Sequence, residues 1–239
     1  MHKPVIVLDP GHGGYDPGAT YNGLREKDLN LSLALKVAAR LAGVKTLLTR
    51  ERDTYVSLAD RVALSKRAEA DLFISLHSNA GGGKGFESFI YSGLGAKDPA
   101  VPMQQLIHGE IMKALNRWEI VDRGLKRASF YVLKSNPRPA ILIESLFLDN
   151  FREAQIWREP LFAETLAGGL VEGIRAALGI SDAEPPDPVS TNAAGFKATP
   201  GSSLYTVQVG AFAHLQNARQ RLAEAQAAGF GDAYIYQKQ

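Results

Sequence analysis

Two histidines occupy matching positions in the sequence and are the first candidates for chemistry. His12 lies in the motif DPGHGG after a short apolar run, and His77 follows the apolar run FISL and precedes three glycines. If both runs are parallel strands, the two imidazoles lie at the same sheet edge and could share one metal ion. A single histidine of this kind is more often a polar residue that caps a strand, but the matched pair favours a metal centre.

Two glutamates are candidates to complete such a centre, because catalytic zinc sites usually have three protein ligands. Glu26 lies in a loop after the His12 turn and could fold back to the same edge, or it could be a first-turn helix acid favoured by the helix dipole. Glu144 ends the apolar run AILIE. An acid at that position is costly unless it is paired, metal-bound or catalytic, so it predicts a functional role.

The composition limits both the metal ligands and the function classes. Cysteine is absent, which excludes disulfide scaffolds, cysteine zinc sites, iron–sulfur clusters and thiol catalysis. Lysine and arginine number 27 against 25 acidic residues, a balance that argues against a nucleic-acid partner. No stretch approaches the roughly 18 apolar residues of a membrane span. The N-terminal apolar run is too short for a signal peptide, which predicts synthesis in the cytoplasm without one.

Residues 1–180 predict an α/β domain, because short apolar runs alternate with longer helical patterns. The expected strands are 4–8, 45–49, 71–76, 86–91, 130–133 and 140–144. The expected helices are 28–41 with Asp28 as its cap, a helix to residue 69 that opens on a capping box at Ser57, 103–118 and 160–178. We therefore predict a mixed, mostly parallel central sheet flanked by helices on both faces.

The composition changes after residue 180. Residues 181–203 are rich in proline, serine, threonine and asparagine, which predicts a partly extended, flexible linker. Residues 204–239 then predict a strand, a helix and a short strand, a small C-terminal βαβ unit. Such a unit is too small to form a self-sufficient core.

The motifs of residues 4–178 resemble those of the zinc-dependent N-acetylmuramoyl-L-alanine amidases of the amidase 3 family. In the family's order they are LDPGHGG, GLREK followed by NL, LTR, SLHSNA, DRG and IE. The resemblance implies that His12, Glu26 and His77 bind Zn²⁺ and that Glu144 is the catalytic residue. It also implies a cell-wall hydrolase that cleaves the amide between the lactyl group of N-acetylmuramic acid and L-alanine in bacterial peptidoglycan.

Two other functions stay open beside this one. They are a zinc peptidase that cleaves the stem peptide of peptidoglycan and a non-catalytic wall-binding protein. A phage endolysin would use the same chemistry as a host autolysin, so the residues do not separate these two origins.

Residues 203–212, with the sequence SLYTVQVGAF, resemble the opening of a SPOR peptidoglycan-binding module. A whole module has two βαβ halves and this chain carries one, which predicts a homodimer that completes the module. The alternative is a loosely folded, dispensable remnant. Together with the lack of a signal peptide, the tail is similar to that of sporulation amidases that lyse the mother cell. We therefore expect the enzyme to act on the wall after release or lysis.

Overall fold

The computed structural model describes residues 3–180 and Leu222. The predicted linker 181–203 and, apart from Leu222, the predicted unit 204–239 lie outside the described residues. The eight strands are β1 (Val5–Pro10), β2 (Thr20–Tyr21), β3 (Leu24–Arg25), β4 (Lys45–Leu48), β5 (Leu72–Asn79), β6 (Phe86–Tyr91), β7 (Asp122–Ala128) and β8 (Ala140–Phe147). The α-helices are α1 (Glu26–Ala38), α2 (Leu58–Arg67), α3 (Ala100–Leu115), α4 (Tyr131–Lys134), α5 (Phe151–Arg158) and α6 (Pro160–Ala177), and a 3₁₀ turn covers Asn116–Trp118.

Six strands form one sheet in the order β4-β1-β5-β8-β6-β7. The first four are mutually parallel, and β6 and β7 are parallel to each other but antiparallel to β8. This arrangement places the carboxyl ends of β1, β5 and β8 beside the amino ends of β6 and β7. The end of the sheet at which these strand termini meet therefore collects residues from five strands. The candidate residues lie there.

Helices cover both faces of the sheet, as predicted. The apolar side chains of β1, β5 and β8 alternate between two cores, since Ile6 and Ile74 belong to one and Val7 and Phe73 to the other. The larger core includes residues from α1, α3 and α6, and the smaller includes residues from α2 and α4. Strands buried on both faces explain the continuous apolar runs in the sequence.

The beginning of α2 confirms Ser57 as the N-cap at which the predicted capping box opens. The Ser57 hydroxyl accepts from the Asp60 backbone N–H at 3.1 Å and donates to the Asp60 carboxylate at 2.6 Å. Helix α1 is different, because its N-cap is Arg25 and not Asp28. The backbone N–H groups of Glu26 and Lys27 donate to the carbonyls of Ala19 and Pro17. The preceding loop thus replaces a side-chain cap, and the helix begins two residues earlier than its apolar pattern indicates.

Between residues 120 and 160 one prediction was wrong and two elements were not predicted. The run 130–133 is helix α4 and not a strand, because an apolar run this short does not distinguish the two. The strand of this region, β7, lies earlier and at the edge of the sheet, where charged residues hide the strand pattern. Helix α5 was not predicted at all; its cap is Asn150, whose side chain accepts from the Glu153 backbone N–H. Among the helices of the described residues, none is both long and apolar enough to cross a membrane.

Candidate metal centre and active site

His12 lies between the end of β1 and a tight turn. The turn is closed by two backbone hydrogen bonds between Gly13 and Asp16, of 2.9 and 3.2 Å. His12 itself has a φ of 61°, a left-handed conformation that is uncommon for a residue with a side chain. Its Nδ1 donates to the Asp16 carboxylate at 2.9 Å, which fixes the ring and directs Nε2 toward the site.

Glu26 reaches the same edge through a short hairpin. Strands β2 and β3 pair around Asn22 and Gly23, both at positive φ, as a two-residue hairpin turn requires. The hairpin brings the chain back so that Glu26, the first residue of α1, faces His12. Gly18 makes the close approach possible, because a Cβ at this position would lie 2.5 Å from the Glu26 carboxylate.

The Glu26 carboxylate is almost fully hydrogen-bonded within the protein. Its Oε2 accepts from the Ala19 backbone N–H at 2.8 Å, and its Oε1 accepts from the Ser78 backbone N–H at 3.1 Å and from Asn30 Nδ2 at 3.3 Å. The side chain is buried. The two positions that the sequence could not separate are therefore compatible, because Glu26 lies in the first turn of α1 and also beside both histidines.

His77 lies inside β5 and not at its end, since the strand continues to Asn79. Its ring packs directly on the backbone of Gly11, where a Cβ would lie 2.2 Å from the imidazole. His77 Nδ1 lies 3.0 Å from Glu26 Oε1, and His12 Nε2 lies 3.1 Å from the same oxygen. The two imidazole rings are 5.0 Å apart and nearly perpendicular.

These three side chains fit a zinc ion. One ligand atom from each of His12, Glu26 and His77 lies within 4.8 Å of the others. Ligand atoms about 2.0–2.1 Å from a tetrahedral Zn²⁺ lie roughly 3.3 Å apart, close to the two measured distances from Glu26 Oε1. Two imidazoles and one carboxylate are also a donor set of known catalytic zinc sites, which keep a fourth position open.

The shared carboxylate controls the charge of the cluster. Burial alone would raise the pKa of Glu26, but hydrogen bonds and charge from His12 and His77 outweigh it and hold that pKa far below its ordinary value. Burial would lower the pKa of His12, but Glu26 and Asp16 raise it from 6.5 to about 9. The pKa of His77 is also raised, because Glu26 and Glu144 outweigh its burial. Without a metal ion, the neighbouring carboxylates therefore favour the protonated form of both imidazoles.

Glu144 lies on the strand next to His77 and opposite it in the register of β5 and β8. Strand β8 continues to Phe147, so Glu144 is not the end of the strand as predicted. Its Oε2 is enclosed and has no hydrogen-bond partner among the described residues. Burial, only partly offset by His77 and reinforced by Glu26 and Glu87, raises the pKa of Glu144 from 4.5 to about 7.

Glu87 lies opposite Glu144 on its other side, in the register of β6 and β8. This carboxylate is buried and accepts from Asn79 Nδ2 at 2.6 Å and from Arg123 Nε at 2.7 Å. Lys126 forms a second ion pair with it. Two partly exposed cations against one carboxylate give this side of the site an excess of positive charge.

Two buried arginines hold together the segments that carry His12 and Glu26. Arg61 pairs with the buried Asp9 at 2.6 Å and donates to the His12 carbonyl at 2.8 Å. Arg50 donates to the carbonyls of Gly11 and Lys27, each at 2.8 Å. The residues next to His12 and Glu26 are thus joined through one guanidinium. Neither role was predicted, although the motif LTR contains Arg50.

A separate cluster of Ser88, His108 and Asp122 has the residue types of a nucleophilic triad but not its function. His108 Nδ1 lies 2.9 Å from the Ser88 hydroxyl, and His108 Nε2 lies 2.9 Å from the Asp122 carboxylate. Ser88 is only 1% exposed, so no substrate can reach it. Gln104 also donates to the Ser88 carbonyl and to the Lys126 carbonyl. The cluster instead attaches α3 to β6 and β7, which carry Glu87 and its cations.

The structure therefore brings together the four predicted site residues, His12, Glu26, His77 and Glu144. The residues that surround them were not predicted from the sequence. Asp16 and Glu87 had signals that could have found them: an acid four residues after His12, and a lone acid in the apolar strand FESFIY. Arg61 had none, because an arginine on an amphipathic helix normally indicates a solvated face.

Comparison with known proteins gives a consistent result. The model of the amidase 3 family, described as N-acetylmuramoyl-L-alanine amidase, matches residues 6–176, and that of the SPOR domain matches residues 191–239. A sporulation-specific N-acetylmuramoyl-L-alanine amidase of Bacillus subtilis is 41% identical over 229 residues, which cover 94% of this chain and 82% of the relative. An endolysin of Bacillus phage SPP1 is 40% identical over 180 residues, which cover 74% of this chain and 66% of that protein.

Solved structures share the fold of the described domain. The crystal structure of an N-acetylmuramoyl-L-alanine amidase from Clostridium difficile 630 superposes with a TM-score of 0.70 at 32% identity, and the match covers 76% of this chain and all of that one. The catalytic domain of CwlV, an amidase from Paenibacillus polymyxa, gives a TM-score of 0.69 at 29% identity over 74% of this chain and 99% of that one.

Proposed function

The chain belongs to the amidase 3 family of N-acetylmuramoyl-L-alanine amidases, and from this membership we propose that its hydrolysis is zinc-dependent, with His12, Glu26 and His77 as ligands and Glu144 as general base. Its reaction is hydrolysis of the amide that joins the lactyl group of N-acetylmuramic acid to L-alanine in peptidoglycan. The observation that supports the ligand set is the convergence of both imidazoles on Glu26 Oε1, at 3.0 and 3.1 Å.

Zn²⁺ in such a centre acidifies water and polarises a carbonyl oxygen. In this proposal Glu144 moves the protons of the reaction. Glu144 is partly exposed, so its carboxylate can accept a proton from the attacking water, and a pKa of about 7 allows it both to take that proton and to return it. The proton goes to the departing amine of L-alanine, which is a poor leaving group as an anion.

The separation of ligand and base follows from the two environments. Glu26 stays ionised because the protein hydrogen-bonds its charge, as a ligand must. Glu144 exchanges its proton near neutral pH because burial and neighbouring carboxylates oppose its charge.

The experiment compares Glu144→Gln with His77→Ala in the full chain. Glu144→Gln should lose hydrolysis and keep zinc, because the proposed base is not a ligand, and His77→Ala should lose both. Zinc is measured by metal analysis after dialysis, and activity by mass spectrometry of digested wall. Equal zinc loss in the two variants would make Glu144 a ligand. Products that begin within the stem peptide, and not at L-alanine, would instead indicate the zinc peptidase.

We also propose a role in wall digestion during sporulation. The match to the sporulation-specific relative covers 229 residues, whereas the match to the endolysin covers 180 residues. The SPOR match at residues 191–239 supports peptidoglycan binding by this segment. Synthesis in the cytoplasm, action on the wall after release or lysis, and pairing of two C-terminal units are parts of the same proposal. Sedimentation of the full chain tests the pairing, since a strict monomer contradicts it.

A further inference from the structure

Two tyrosines form an exposed aromatic pair beside the metal-ligand turn. Tyr15 and Tyr55 stack with their ring centroids 4.4 Å apart and their planes 24° from parallel. Tyr15 is 80% exposed and Tyr55 is 44% exposed, so the outer ring faces are open to solvent. Neither residue contributes to the two apolar cores.

The exposure of Tyr15 is imposed by the backbone. Tyr15 lies at the tip of the four-residue turn that Gly13 and Asp16 close, three residues after His12. Gly14 attaches this tip to the neighbouring loop, because its N–H donates to the Asp53 carboxylate at 2.7 Å and its carbonyl accepts from Lys27 Nζ at 2.7 Å. The ring is therefore held outward on a fixed support.

The neighbouring loop is packed tightly against the turn. A Cβ at Gly13 would lie 2.2 Å from the Thr54 carbonyl, and a Cβ at Gly14 would lie 2.6 Å from the Tyr55 backbone nitrogen. The stacking partner of Tyr15 is thus brought close by the backbone as well as by the rings. A pre-formed pair loses little conformational freedom when a ligand packs on it.

We propose that Tyr15 and Tyr55 form a stacking site for a sugar ring of the glycan strand, a binding subsite of the amidase reaction. The inference rests on the proposed function, because it takes the substrate to be a sugar-linked amide. A pyranose ring presents an apolar C–H face that packs on a flat aromatic face, and the phenol hydroxyls can hydrogen-bond with sugar hydroxyls.

The distribution of charge favours the sugar over the peptide at this position. The ionic groups beside the tyrosine pair compensate each other, since Lys27 pairs with Asp53 and His12 with Asp16. The excess positive charge lies instead at Arg123 and Lys126, on the Glu87 side of the site. An uncharged sugar face therefore suits the tyrosine pair, and anionic groups of the stem peptide suit the opposite side.

The experiment compares Tyr15→Ala, Tyr15→Phe and Tyr15→Trp in the full chain on two substrates. One is a soluble disaccharide-peptide with the scissile amide, and the other is an N-lactoyl-peptide with the same amide and no sugar. Loss of one stacking contact should lower the ratio of kcat/KM on the disaccharide-peptide to kcat/KM on the N-lactoyl-peptide about five- to tenfold in Tyr15→Ala. The loss should lie in KM, and Tyr15→Phe and Tyr15→Trp should keep the ratio.

The other possible outcomes would contradict either the stacking site or the proposed function. An equal loss on both substrates in Tyr15→Ala would mean that the residue acts through the His12 turn, and the sugar site would be wrong. An unchanged ratio in Tyr15→Ala would overturn it as well. Failure of the unsubstituted enzyme to release peptides that begin at L-alanine would contradict the proposed function and not the stacking site. A thermal unfolding midpoint for each variant confirms that the fold is intact.

Discussion

Glu26 and Glu144 are glutamates at the same edge of one sheet, and the protein treats their charges in opposite ways. Glu26 is surrounded by donors: two backbone N–H groups, one amide and two imidazoles. Glu144 has an enclosed oxygen with no partner among the described residues, and it lies between the ligand cluster and Glu87. The pKa of the first is lowered and that of the second is raised to about 7.

The difference shows that the number of hydrogen-bond donors, and not burial, separates the lowered pKa of Glu26 from the raised pKa of Glu144. Both carboxylates are largely withdrawn from water, and burial raises the pKa of each. Only Glu26 has enough donors to reverse that effect. The two regions are also supported differently, because buried arginines fix the loops around Glu26 whereas partly exposed cations neutralise Glu87 beside Glu144.

The largest effect is expected when the ligand carboxylate loses its charge. Glu26→Gln should lower zinc affinity more than about 100-fold and activity with it, since loss of an outer-shell partner alone costs about 10- to 100-fold. Competition with a chelating dye measures the affinity. Asp16→Asn is the control, because it removes the negative charge beside His12 Nδ1 without changing a proposed ligand, and its effect should stay within that outer-shell range. Equal affinities for Glu26→Gln and the unsubstituted protein would remove Glu26 from the ligand set.

The support of the two regions can be compared by breaking one ion pair in each. Arg61→Met leaves Asp9 buried without its cation and should destabilise the fold by about 3–5 kcal/mol. Arg123→Met should cost about 1 kcal/mol or less, because Arg123 is partly exposed and Lys126 still pairs with Glu87. Urea unfolding of the metal-free proteins measures both. Similar losses in the two variants would contradict the difference in support.

The raised pKa of Glu144 has a consequence for stability. Its folded-state pKa of about 7 lies above 4.5, so the folded protein binds the proton more tightly and loses stability as pH rises from about 4.5 to about 7. Glu144→Gln does not titrate, so its advantage over the unsubstituted protein should grow across this window and level off above it. At about 1.36 kcal/mol per pKa unit, the advantage reaches up to about 3 kcal/mol.

Urea unfolding of metal-free protein at several pH values measures this advantage. Glu119→Gln is the control, since the Glu119 side chain is 81% exposed. A constant difference in the free energy of unfolding between Glu144→Gln and the unsubstituted protein from pH 4.5 to 8 would show that folding does not raise the pKa of Glu144.

The smallest effect is expected at the neighbour of the base. Glu87→Gln removes a carboxylate that raises the pKa of Glu144 and leaves Arg123 and Lys126 without their carboxylate partner. The acidic limb of the pH profile of kcat/KM should therefore move to lower pH, by less than about one unit. Lys126→Met removes a cation and should move the limb to higher pH. Shifts of the same sign in both variants would mean that charge at Glu87 does not act on Glu144.

The sequence predicted the site better than it predicted the elements around it. His12, His77 and Glu144 stand out in the sequence because each is a polar residue that follows or interrupts an apolar run. These runs are strands in the structure as well. Strand β7 and helix α4 were misread, because a charged edge strand and a four-residue apolar helix carry no clear periodicity. The role of Arg61 depends on Asp9, 52 positions away, and local spacing contains no information about such a pair.

The strand that carries Arg123 and Lys126 is also the last strand of the sheet within residues 3–180. Four of the seven residues of β7 are charged, in the sequence DRGLKRA. An open strand edge can pair with the strand of another molecule, and charged side chains along it oppose such pairing. The side chains that neutralise Glu87 therefore also protect the protein against edge-to-edge aggregation, so a substitution that weakens them affects solubility as well as the proton chemistry of the base.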